Sequence, residues 1–430
     1  MTVTGRLPLL LLVGTGAVVL RPAAGTAWAW VGLVVVLVVV DLLLACPPGR
    51  LDVVRREVGP VRQGGTTSTE LVVSHRGGRR ARGVLRDAWQ PSAGAGRNRH
   101  RIDLSPGEAV RLRTALTPTR RGDRRAVHVT VRLTGPLGLA ARQATRSVPG
   151  SVRVLPPFHS RKHLPSRLAQ LRELDGRAAA RVRGQGTEFD SLREYVRGDD
   201  VRSIDWRASA RTRNVVVRTW QPERHRRVVL VLDTSRTSAG RVEDVPRLDS
   251  AMDAALLLAA LASRAGDSVD FLAGDRVVRS RVRGRAQRDA LPALVDAMAD
   301  LEPALVEADW SRLVAAVGGL GRQRALVVLL TALEPAAVEQ GLLPSLPLLT
   351  SRHRVVLASV RDPELTRMAA RRDDVAAVYD AAAAEQTSAD RTGTAALLAG
   401  LGVDVVDADA ERLPVALTDR YLLLKDRGLL

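Results

Sequence analysis

Two apolar runs near the N-terminus constrain this chain most. Residues 27–46, AWAWVGLVVVLVVVDLLLAC, carry a single charged side chain, Asp41. A run of that length crosses a bilayer as a helix, because a helix satisfies its own backbone polar groups where no water is present. Residues 7–20, LPLLLLVGTGAVVL, form a shorter run, but the arginine at each end can extend toward lipid headgroups. We predict a transmembrane helical hairpin over residues 1–48.

The flanking charges predict the orientation of this hairpin. Arg50, Arg55 and Arg56 follow the second run, whereas Arg21 stands alone between the two runs. Positively charged flanks remain in the cytoplasm, so we expect a two-pass cell-membrane protein with its large C-terminal part cytoplasmic. The alternative is a cleaved signal peptide, but the first run lacks a convincing cleavage site and the second follows at once. Asp41 is either a functional intramembrane carboxylate or a group that reaches the interface.

The pattern changes after the second run. Residues 49–157 contain short segments such as TELVVS, AVRLRTAL and AVHVTVRL, in which apolar and polar residues alternate. Turns rich in glycine, proline and arginine separate them, which is typical of an antiparallel β module. Residues 158–226 follow as a connector, with a helix expected around SRLAQLRELDGRAAARV.

Residues 227–430 predict a different architecture. VVLVLD, ALVVLLT and HRVVLASV are continuous apolar runs, as expected of strands buried on both faces. Amphipathic segments such as DSAMDAALLLAALASRAG lie between them, and LTRMAARRDD and GTAALLAGLG are predicted as two further helices. Alternating strands and helices indicate a doubly wound α/β sheet.

One segment of the connector has an unusual composition. Residues 184–211, GQGTEFDSLREYVRGDDVRSIDWRASAR, combine many charges with aromatic and aliphatic side chains that a solvated linker would not need. The segment resembles the signature of the bacterial domain-of-unknown-function-58 family. The matching residues are Gly186, Glu188, Phe189, Leu192, Arg193, Tyr195, Gly198, Asp199, Asp200, Arg202, Ile204, Asp205, Trp206, Ser209, Ala210 and Arg211.

The resemblance implies both an architecture and a partner. Members of this family place a von Willebrand factor A-like domain after the signature, which implies that fold for residues 227–430. They are often paired with MoxR-type AAA+ ATPases that help to assemble client complexes. The resemblance therefore implies a membrane-anchored, non-catalytic interaction or scaffold protein that works with such an ATPase.

The first buried strand ends at a candidate metal site. Asp233, Ser235 and Thr237 resemble the D-x-S-x-S start of a metal-ion-dependent adhesion site, in which carboxylate and hydroxyl oxygens bind Mg²⁺. Ala308 and Ala332 stand where family-like sequences carry further oxygen ligands. We therefore expect a degenerate site, with Mg²⁺ as its candidate ion and no other cofactor.

Two alternatives for this site remain open. Asp309 or Glu334 could supply the missing ligands from neighbouring positions, although side-chain direction argues against a simple exchange. Otherwise Asp233 and Ser235 cap the following turn by binding backbone amides.

The signature carboxylates also have two interpretations. They could act as the acid and base of a hydrolase, or pair with the arginines beside them. We favour ion pairing and expect a structural clamp in which the charge of Asp205 is held against an aromatic face at Trp206. The carboxylates are Asp199, Asp200 and Asp205, and the arginines are Arg193, Arg197 and Arg202.

Net charge leaves one further question. The chain carries +19, nearly all from arginine, which suits an anionic partner such as nucleic acid or a lipid surface. A G- and C-rich genome gives the same composition, and no nucleic-acid-binding motif accompanies the charge. The single cysteine, Cys46, excludes an internal disulfide, and no small-molecule substrate is evident.

Overall fold

The computed structural model describes residues 2–181, 188–197, 199–212, 214–221, 226–284, 290–321 and 323–430. Contacts within the chain divide it into two compact units, Met1–Leu155 and Pro156–Leu430.

The first unit contains two apolar helices and a set of strands. The helices are α1 (Arg6–Leu20) and α2 (Ala24–Leu44). The strands are β1 (Thr2–Val3), β2 (Leu51–Arg55), β3 (Val61–Arg62), β4 (Thr67–His75), β5 (Ala81–Trp89), β6 (Ala95–Gly96), β7 (Arg99–Leu104), β8 (Ala109–Leu116), β9 (Gly122–Thr134), β10 (Ala140–Arg146) and β11 (Ser151–Leu155).

Helix α2 is long and apolar enough to cross a membrane, by length and composition alone. A signal sequence near an N-terminus has the same character. Helix α1 is shorter, at 15 residues, and packs against α2. The indole of Trp30 lies against Gly14, where any Cβ would come within 2.0 Å of the ring. Most large apolar side chains of both helices are exposed; Leu20, for example, is 88% exposed.

The strands of this unit form two sheets. The larger has the order β1-β10-β9-β11-β3, with β5 and β7 added beside β9, and the smaller has the order β2-β4-β8-β6. All pairs are antiparallel except β11 with β3. Inward-facing side chains such as Leu71, Leu85 and Val131 alternate with outward-facing polar ones, and they pack into one apolar core.

Asp41 joins the end of α2 to the turn before β10. Its carboxylate accepts hydrogen bonds from the backbone N–H groups of Leu137 (2.7 Å), Leu139 (2.7 Å) and Ala140 (2.9 Å). The approach is close, since a Cβ at Gly135 would lie 2.2 Å from Oδ1. Asp41 is fully buried. The carboxylate that interrupts the apolar run is therefore held within the protein.

The second unit alternates helices and strands. Its elements are α3 (Leu164–Arg181), β12 (Glu188–Glu194), α4 (Trp206–Thr212), β13 (Val216–Gln221), β14 (Arg227–Asp233), α5 (Arg236–Ala239), β15 (Arg241–Val242), β16 (Val245–Pro246), α6 (Arg247–Arg264), β17 (Ser268–Gly274), β18 (Val278–Val282), α7 (Ala290–Ala299), α8 (Trp310–Gly318), β19 (Leu326–Leu330), α9 (Pro335–Ala337), α10 (Leu346–Thr350), β20 (Arg354–Arg361), α11 (Pro363–Ala370), α12 (Val375–Gly400), β21 (Val403–Asp409) and α13 (Leu413–Asp426).

A six-stranded sheet forms the centre of this unit, as the alternating pattern predicts for a mixed α/β fold. Its order is β18-β17-β14-β19-β20-β21, and all strands are parallel except β18. Val229, Val231 and Leu329 share one core with α8, α10 and α12. Successive strand residues face opposite sides, so Leu230 and Leu232 point toward the other face, where α6 contacts the sheet.

The region between β20 and β21 contains two helices, as predicted, but the second is longer than the predicted segment GTAALLAGLG. Helix α11 covers the start of the first predicted segment, and α12 is continuous over 26 residues, so it also includes the residues that precede the second segment. The carboxylate of Asp374 caps its first turn by accepting from the N–H of Ala377 at 2.7 Å. The alanines at 381–384 favour helix without giving a strong apolar period, which is why the pattern shows only the C-terminal end.

Candidate binding site at the carboxyl edge of the parallel sheet

The candidate site lies where the strand order of the central sheet reverses. Strand β14 pairs with β17 on one side and with β19 on the other, and it ends at Asp233. Chain connections leave such a strand in opposite directions, which opens a crevice at its carboxyl end. Backbone bonds fix the loops of this crevice, because Thr234 donates to Gly274 and Arg236 donates to Val306.

The carboxylate of Asp233 is satisfied entirely by neutral donors. Oδ1 accepts from the N–H of Ser235 at 2.7 Å. Oδ2 accepts from the hydroxyls of Thr237 at 2.9 Å and Thr331 at 2.6 Å. The hydroxyls of Ser235 and Thr237 are themselves 3.1 Å apart. This places the three residues singled out in the sequence, Asp233, Ser235 and Thr237, in one cluster with Thr331.

Burial dominates the electrostatics of this cluster. Asp233 is 1% exposed, and no arginine, lysine or histidine forms an ion pair with it among the described residues. Burial raises the pKa of the Asp233 carboxyl above its ordinary value, and the hydrogen bonds from Thr331, Ser235 and Thr237 oppose that rise.

A cavity of about 290 Å³ lies beside the cluster. Asp233, Thr237 and Thr331 give it a polar wall, and the ion pair of Arg236 with Glu307 stands at its margin. Gln340 also lines the cavity, and the remaining lining residues are apolar or small, including the buried indole of Trp310. The lining comes from residues 233–237, 307–310 and 331–342, so the signature segment takes no part in it.

The residues around Asp233 do not fit a divalent cation. Ala308 and Ala332 line the cavity and offer no side-chain oxygen. Asp309 instead caps α8, accepting from the N–H of Arg312 at 3.0 Å, and Glu334 pairs with Arg247 at 2.8 Å. Both carboxylates that could complete the site therefore have other partners in this structure. Within the described ranges, no three His, Cys, Asp or Glu side chains form a potential metal cluster.

Thr331 is the residue of this site that the sequence reasoning missed. It directly follows β19, the neighbour of β14, so the carboxyl ends of the two strands bring its hydroxyl to Asp233. The signal that could have identified it is that two continuous apolar runs, each typical of a buried parallel strand, end at Asp233 and at Thr331.

The signature folds largely onto itself. Strands β12 and β13 pair antiparallel, and the chain between them returns to β13 through a bridge from Ile204 to Val217. The Ser209 hydroxyl donates to the carbonyl of Asp205 at 2.8 Å and accepts from the N–H of Val216 at 2.9 Å. This hydroxyl thus links α4 to β13.

The three signature carboxylates have different partners. Arg193 donates to both oxygens of Asp199, at 2.8 and 2.5 Å, and this pair lowers the pKa of Asp199 below its ordinary value. Asp200 accepts from the backbone N–H of Arg202 at 3.0 Å. Asp205 accepts from backbone N–H groups at the start of α4, at 3.1 and 3.0 Å.

These partners correct part of the clamp prediction. Asp199 forms an ion pair, as predicted, and Asp200 and Asp205 also cap short helical turns, because both residues directly precede such turns. Trp206 is 67% exposed, so its ring does not cover a buried charge. Val196 and Val201 are each 61% exposed as well. The signature therefore presents apolar surface to its surroundings.

The remaining signature residues lie along the same segment. Glu188 and Phe189 are in β12, paired with β13, and Tyr195 donates its N–H to the carbonyl of Val215 at 2.8 Å. Arg202 and Arg211 are exposed. Gly186 and Gly198 lie outside the described residues.

The comparison with known proteins finds the same family that the signature segment resembles. The family model described as "Protein of unknown function DUF58" matches residues 191–397. The uncharacterized proteins Mb1516 of Mycobacterium bovis and Rv1480 of Mycobacterium tuberculosis are each 28% identical over 185 residues, which cover 42% of this chain. The chain spans 57% of the length of these curated relatives.

Solved structures add little. The conserved hypothetical protein BatB from Bacteroides thetaiotaomicron matches with a TM-score of 0.25 and 14% identity, covering 46% of this chain and 98% of that one. The CARDB domain of the PF1109 protein from Pyrococcus furiosus matches with a TM-score of 0.18 and 20% identity, covering 24% of this chain and 91% of that one. These scores are too low to assign a fold.

Proposed function

We propose that this chain is a membrane-anchored, non-catalytic interaction or scaffold protein that works with a MoxR-type AAA+ ATPase in the assembly of client complexes. The observation that carries the proposal is the surface of the signature. Its carboxylates are used for pairing and capping, while Trp206 is 67% exposed and Val196 and Val201 of the same segment are exposed as well. Exposed tryptophan is typical of residues that dominate protein interfaces.

We also propose that the second unit is a von Willebrand factor A-like domain, as the resemblance of the signature implies. The sheet order, with an antiparallel strand at one edge and Asp233 at the carboxyl end of β14, suits that fold. Such domains bind partners at this edge through a metal. Here Oδ2 of Asp233 accepts from the hydroxyls of Thr237 and Thr331, and Ala308 and Ala332 offer no side-chain oxygen, so we propose that partner binding needs no Mg²⁺.

The hydrolase alternative has less support. An acid and a base need carboxylates that reach a substrate, and their pKa values must suit proton transfer near neutral pH. Asp199 is bound on both oxygens by Arg193, which lowers its pKa, and Asp205 binds the start of α4. The described part of the signature offers no free pair.

Binding to the ATPase tests the proposal. The full chain, purified in detergent and immobilised, is exposed to a MoxR-type ATPase of the same organism. We expect Trp206→Ala to weaken binding at least about tenfold, as for an interface hot spot. Tyr379→Ala is the matched control, because Tyr379 is 74% exposed on α12. Equal binding by the parent and Trp206→Ala would remove the signature from the interface, and absence of any binding would reject the partner.

Membrane topology is tested separately with introduced cysteines. The native Cys46 is buried and gives little background. We propose two passes with the C-terminal part cytoplasmic, so an impermeant maleimide added to intact cells should label Ala23→Cys, between the helices, and leave Thr392→Cys, on α12, unlabelled. Labelling of Thr392→Cys would reverse the orientation. An unlabelled Ala23→Cys would argue for a single pass.

A further inference from the structure

Five arginines lie around the end of α2 and the turn between β9 and β10, which Asp41 binds. Their guanidinium groups all donate to backbone carbonyls of the hairpin or of the segments that follow it. We name them the arginine collar: Arg6 donates to Leu137 (3.2 Å), Arg79 to Leu43 (2.6 Å), Arg132 to Val3 (2.8 Å), Arg142 to Leu42 (3.0 Å), and Arg146 to Leu51 (2.5 Å) and Pro48 (2.8 Å).

The charge of the arginine collar is not balanced by carboxylates. None of its members has an acidic side chain within 4.0 Å among the residues that the structure describes. Asp41 lies at the same joint, but both of its oxygens accept from backbone N–H groups. Elsewhere in this unit arginines do pair, as Arg55 does with Asp87 and Arg80 with Asp103.

The members of the collar act on a common region. Arg79 and Arg142 donate to the carbonyls of neighbouring residues, Leu43 and Leu42, and Arg146 donates to the carbonyl of Pro48 a few positions later. Carbonyls at a helix C-terminus carry only partial negative charge, which offsets a small part of several full positive charges. A guanidinium also has five N–H donors, and one or two are used here.

The collar stands where the apolar surface of α2 ends. This helix has 21 residues and is therefore about 31 Å long, close to the thickness of a bilayer's hydrocarbon core. Arg79 and Arg142 bind carbonyls of its last turn, Leu43 and Leu42. If the helix spans a membrane, these guanidinium groups lie at the depth of the lipid phosphates.

We propose that the arginine collar binds the phosphate groups of anionic phospholipids. The inference rests on the membrane anchoring proposed above and adds a lipid class to it. The planar guanidinium fork matches two phosphate oxygens, and arginines near an anionic leaflet are attracted to it. Lipid phosphate supplies the negative charge that the neighbouring side chains do not.

Native mass spectrometry of the full chain tests this proposal. The protein is released from detergent with equal amounts of phosphatidylglycerol and phosphatidylcholine, and the ratio of the retained lipids is measured. We expect the parent to retain phosphatidylglycerol preferentially. Arg79→Gln with Arg142→Gln should lower that ratio by about fivefold per arginine. Arg79→Lys with Arg142→Lys keeps the charge and should retain most of the preference.

A matched control lies on the same strand as Arg132. Arg125 is exposed in β9, seven residues or about 23 Å from Arg132, so Arg125→Gln should leave the ratio unchanged. A parent ratio near one, a preference that survives in the glutamine double variant, or an equal loss in Arg125→Gln would each overturn the proposal. Melting temperatures of the variants show whether a loss of lipid preference reflects misfolding. If the glutamine variant is destabilised, the lysine variant, which keeps both charges, tests the proposal instead.

Carbonate extraction separates this proposal from membrane anchoring itself. A chain that alkaline carbonate removes from cell membranes is not an integral protein, and anchoring and collar fail together. A chain that resists extraction but retains both lipids equally is anchored without lipid selectivity, so the collar proposal fails alone.

Discussion

The joint at the end of α2 and the carboxyl edge of the central sheet each hold a buried aspartate without a basic partner among the described residues. Asp41 is 0% exposed and Asp233 is 1% exposed. Asp41 accepts from three backbone N–H groups, whereas Asp233 accepts from one backbone N–H group and two side-chain hydroxyls. A cavity adjoins Asp233, while Asp41 is packed against Gly135.

The difference lies in what the donors can do. Backbone N–H groups are held in place by the fold and cannot rotate toward another acceptor. Asp41 therefore stabilises the turn before β10 and is not free to bind a ligand. Hydroxyl groups rotate and can redirect their hydrogens toward a ligand. The aspartate with hydroxyl donors beside a cavity is therefore the one suited to binding, and the aspartate with backbone donors is structural.

Asp41→Ala provides the strongest test of this contrast. It leaves the N–H groups of Leu137, Leu139 and Ala140 without an acceptor in a buried place. We expect a loss of about 3 kcal/mol or more in the free energy of unfolding. Thermal or denaturant unfolding of the full chain in detergent measures it.

The control for this variant is Asp52→Ala. Asp52 pairs with Arg76 near the same joint, but its side chain is 44% exposed, and exposed pairs contribute little. We expect a change of less than about 0.5 kcal/mol. If Asp41→Ala lowers the free energy of unfolding no more than Asp52→Ala does, a buried carboxylate with backbone donors is not structural. The contrast between Asp41 and Asp233 would then be wrong.

Asp205→Ala separates burial from donor type. Asp205, like Asp41, accepts from backbone N–H groups, yet it is only half-buried. Solvent can replace the carboxylate at those groups, so we expect a loss of about 1 kcal/mol, as for a helix cap. A loss as large as that of Asp41→Ala would restore the buried clamp predicted from the sequence.

Much of the fold could be predicted because it follows from periodicity. Continuous apolar runs such as VVLVLD became β14 and its parallel neighbours, and alternating segments became antiparallel strands. The central part of α12 escaped because its alanines carry no strong apolar period. The apolar period of a segment indicates which of its faces is buried. A helix without a distinct apolar face is therefore difficult to recognise from its sequence.

The site was harder to predict because its bonds join distant parts of the chain. Asp233, Ser235 and Thr237 were identified from local spacing, whereas Thr331 lies 98 positions from Asp233. The role of Asp41 depends on a turn about 96–99 positions away. In both cases the carboxylate can be recognised in the sequence, but its hydrogen-bond donors cannot, because they are far away along the chain. The type of donor determines the role of the carboxylate.

The next test concerns the slope of stability against pH. Burial raises the pKa of Asp233 in the folded chain above the ordinary value of 3.8. The folded state therefore holds the proton more tightly, and this contribution to stability is present below pH 3.8 and is lost as pH rises through the folded pKa. Asp233→Asn has no such group.

We therefore expect the stability of Asp233→Asn, measured relative to the parent, to increase as pH rises from about 4. Denaturant unfolding at several pH values measures the difference. Asp309→Asn is the control, since bonds from Ser311 and Arg312 lower the pKa of Asp309 and its contribution has the opposite sign. A parallel pH dependence of Asp233→Asn and the parent would contradict the burial argument.

Magnesium should have the smallest effect of all. To bind Asp233, the ion would have to displace the hydroxyls of Thr237 or Thr331 and give up water without gaining a second carboxylate. A ligand stabilises the native state by RT ln(1 + [L]/Kd), which is negligible when Kd exceeds the ion concentration. We expect the full chain to melt at the same temperature in millimolar Mg²⁺ and in chelator. A rise with Mg²⁺ that disappears in Asp233→Asn but persists in Asp309→Asn would show that hydroxyl donors do yield to a metal, and partner binding at this edge would then have to be re-examined as metal-dependent.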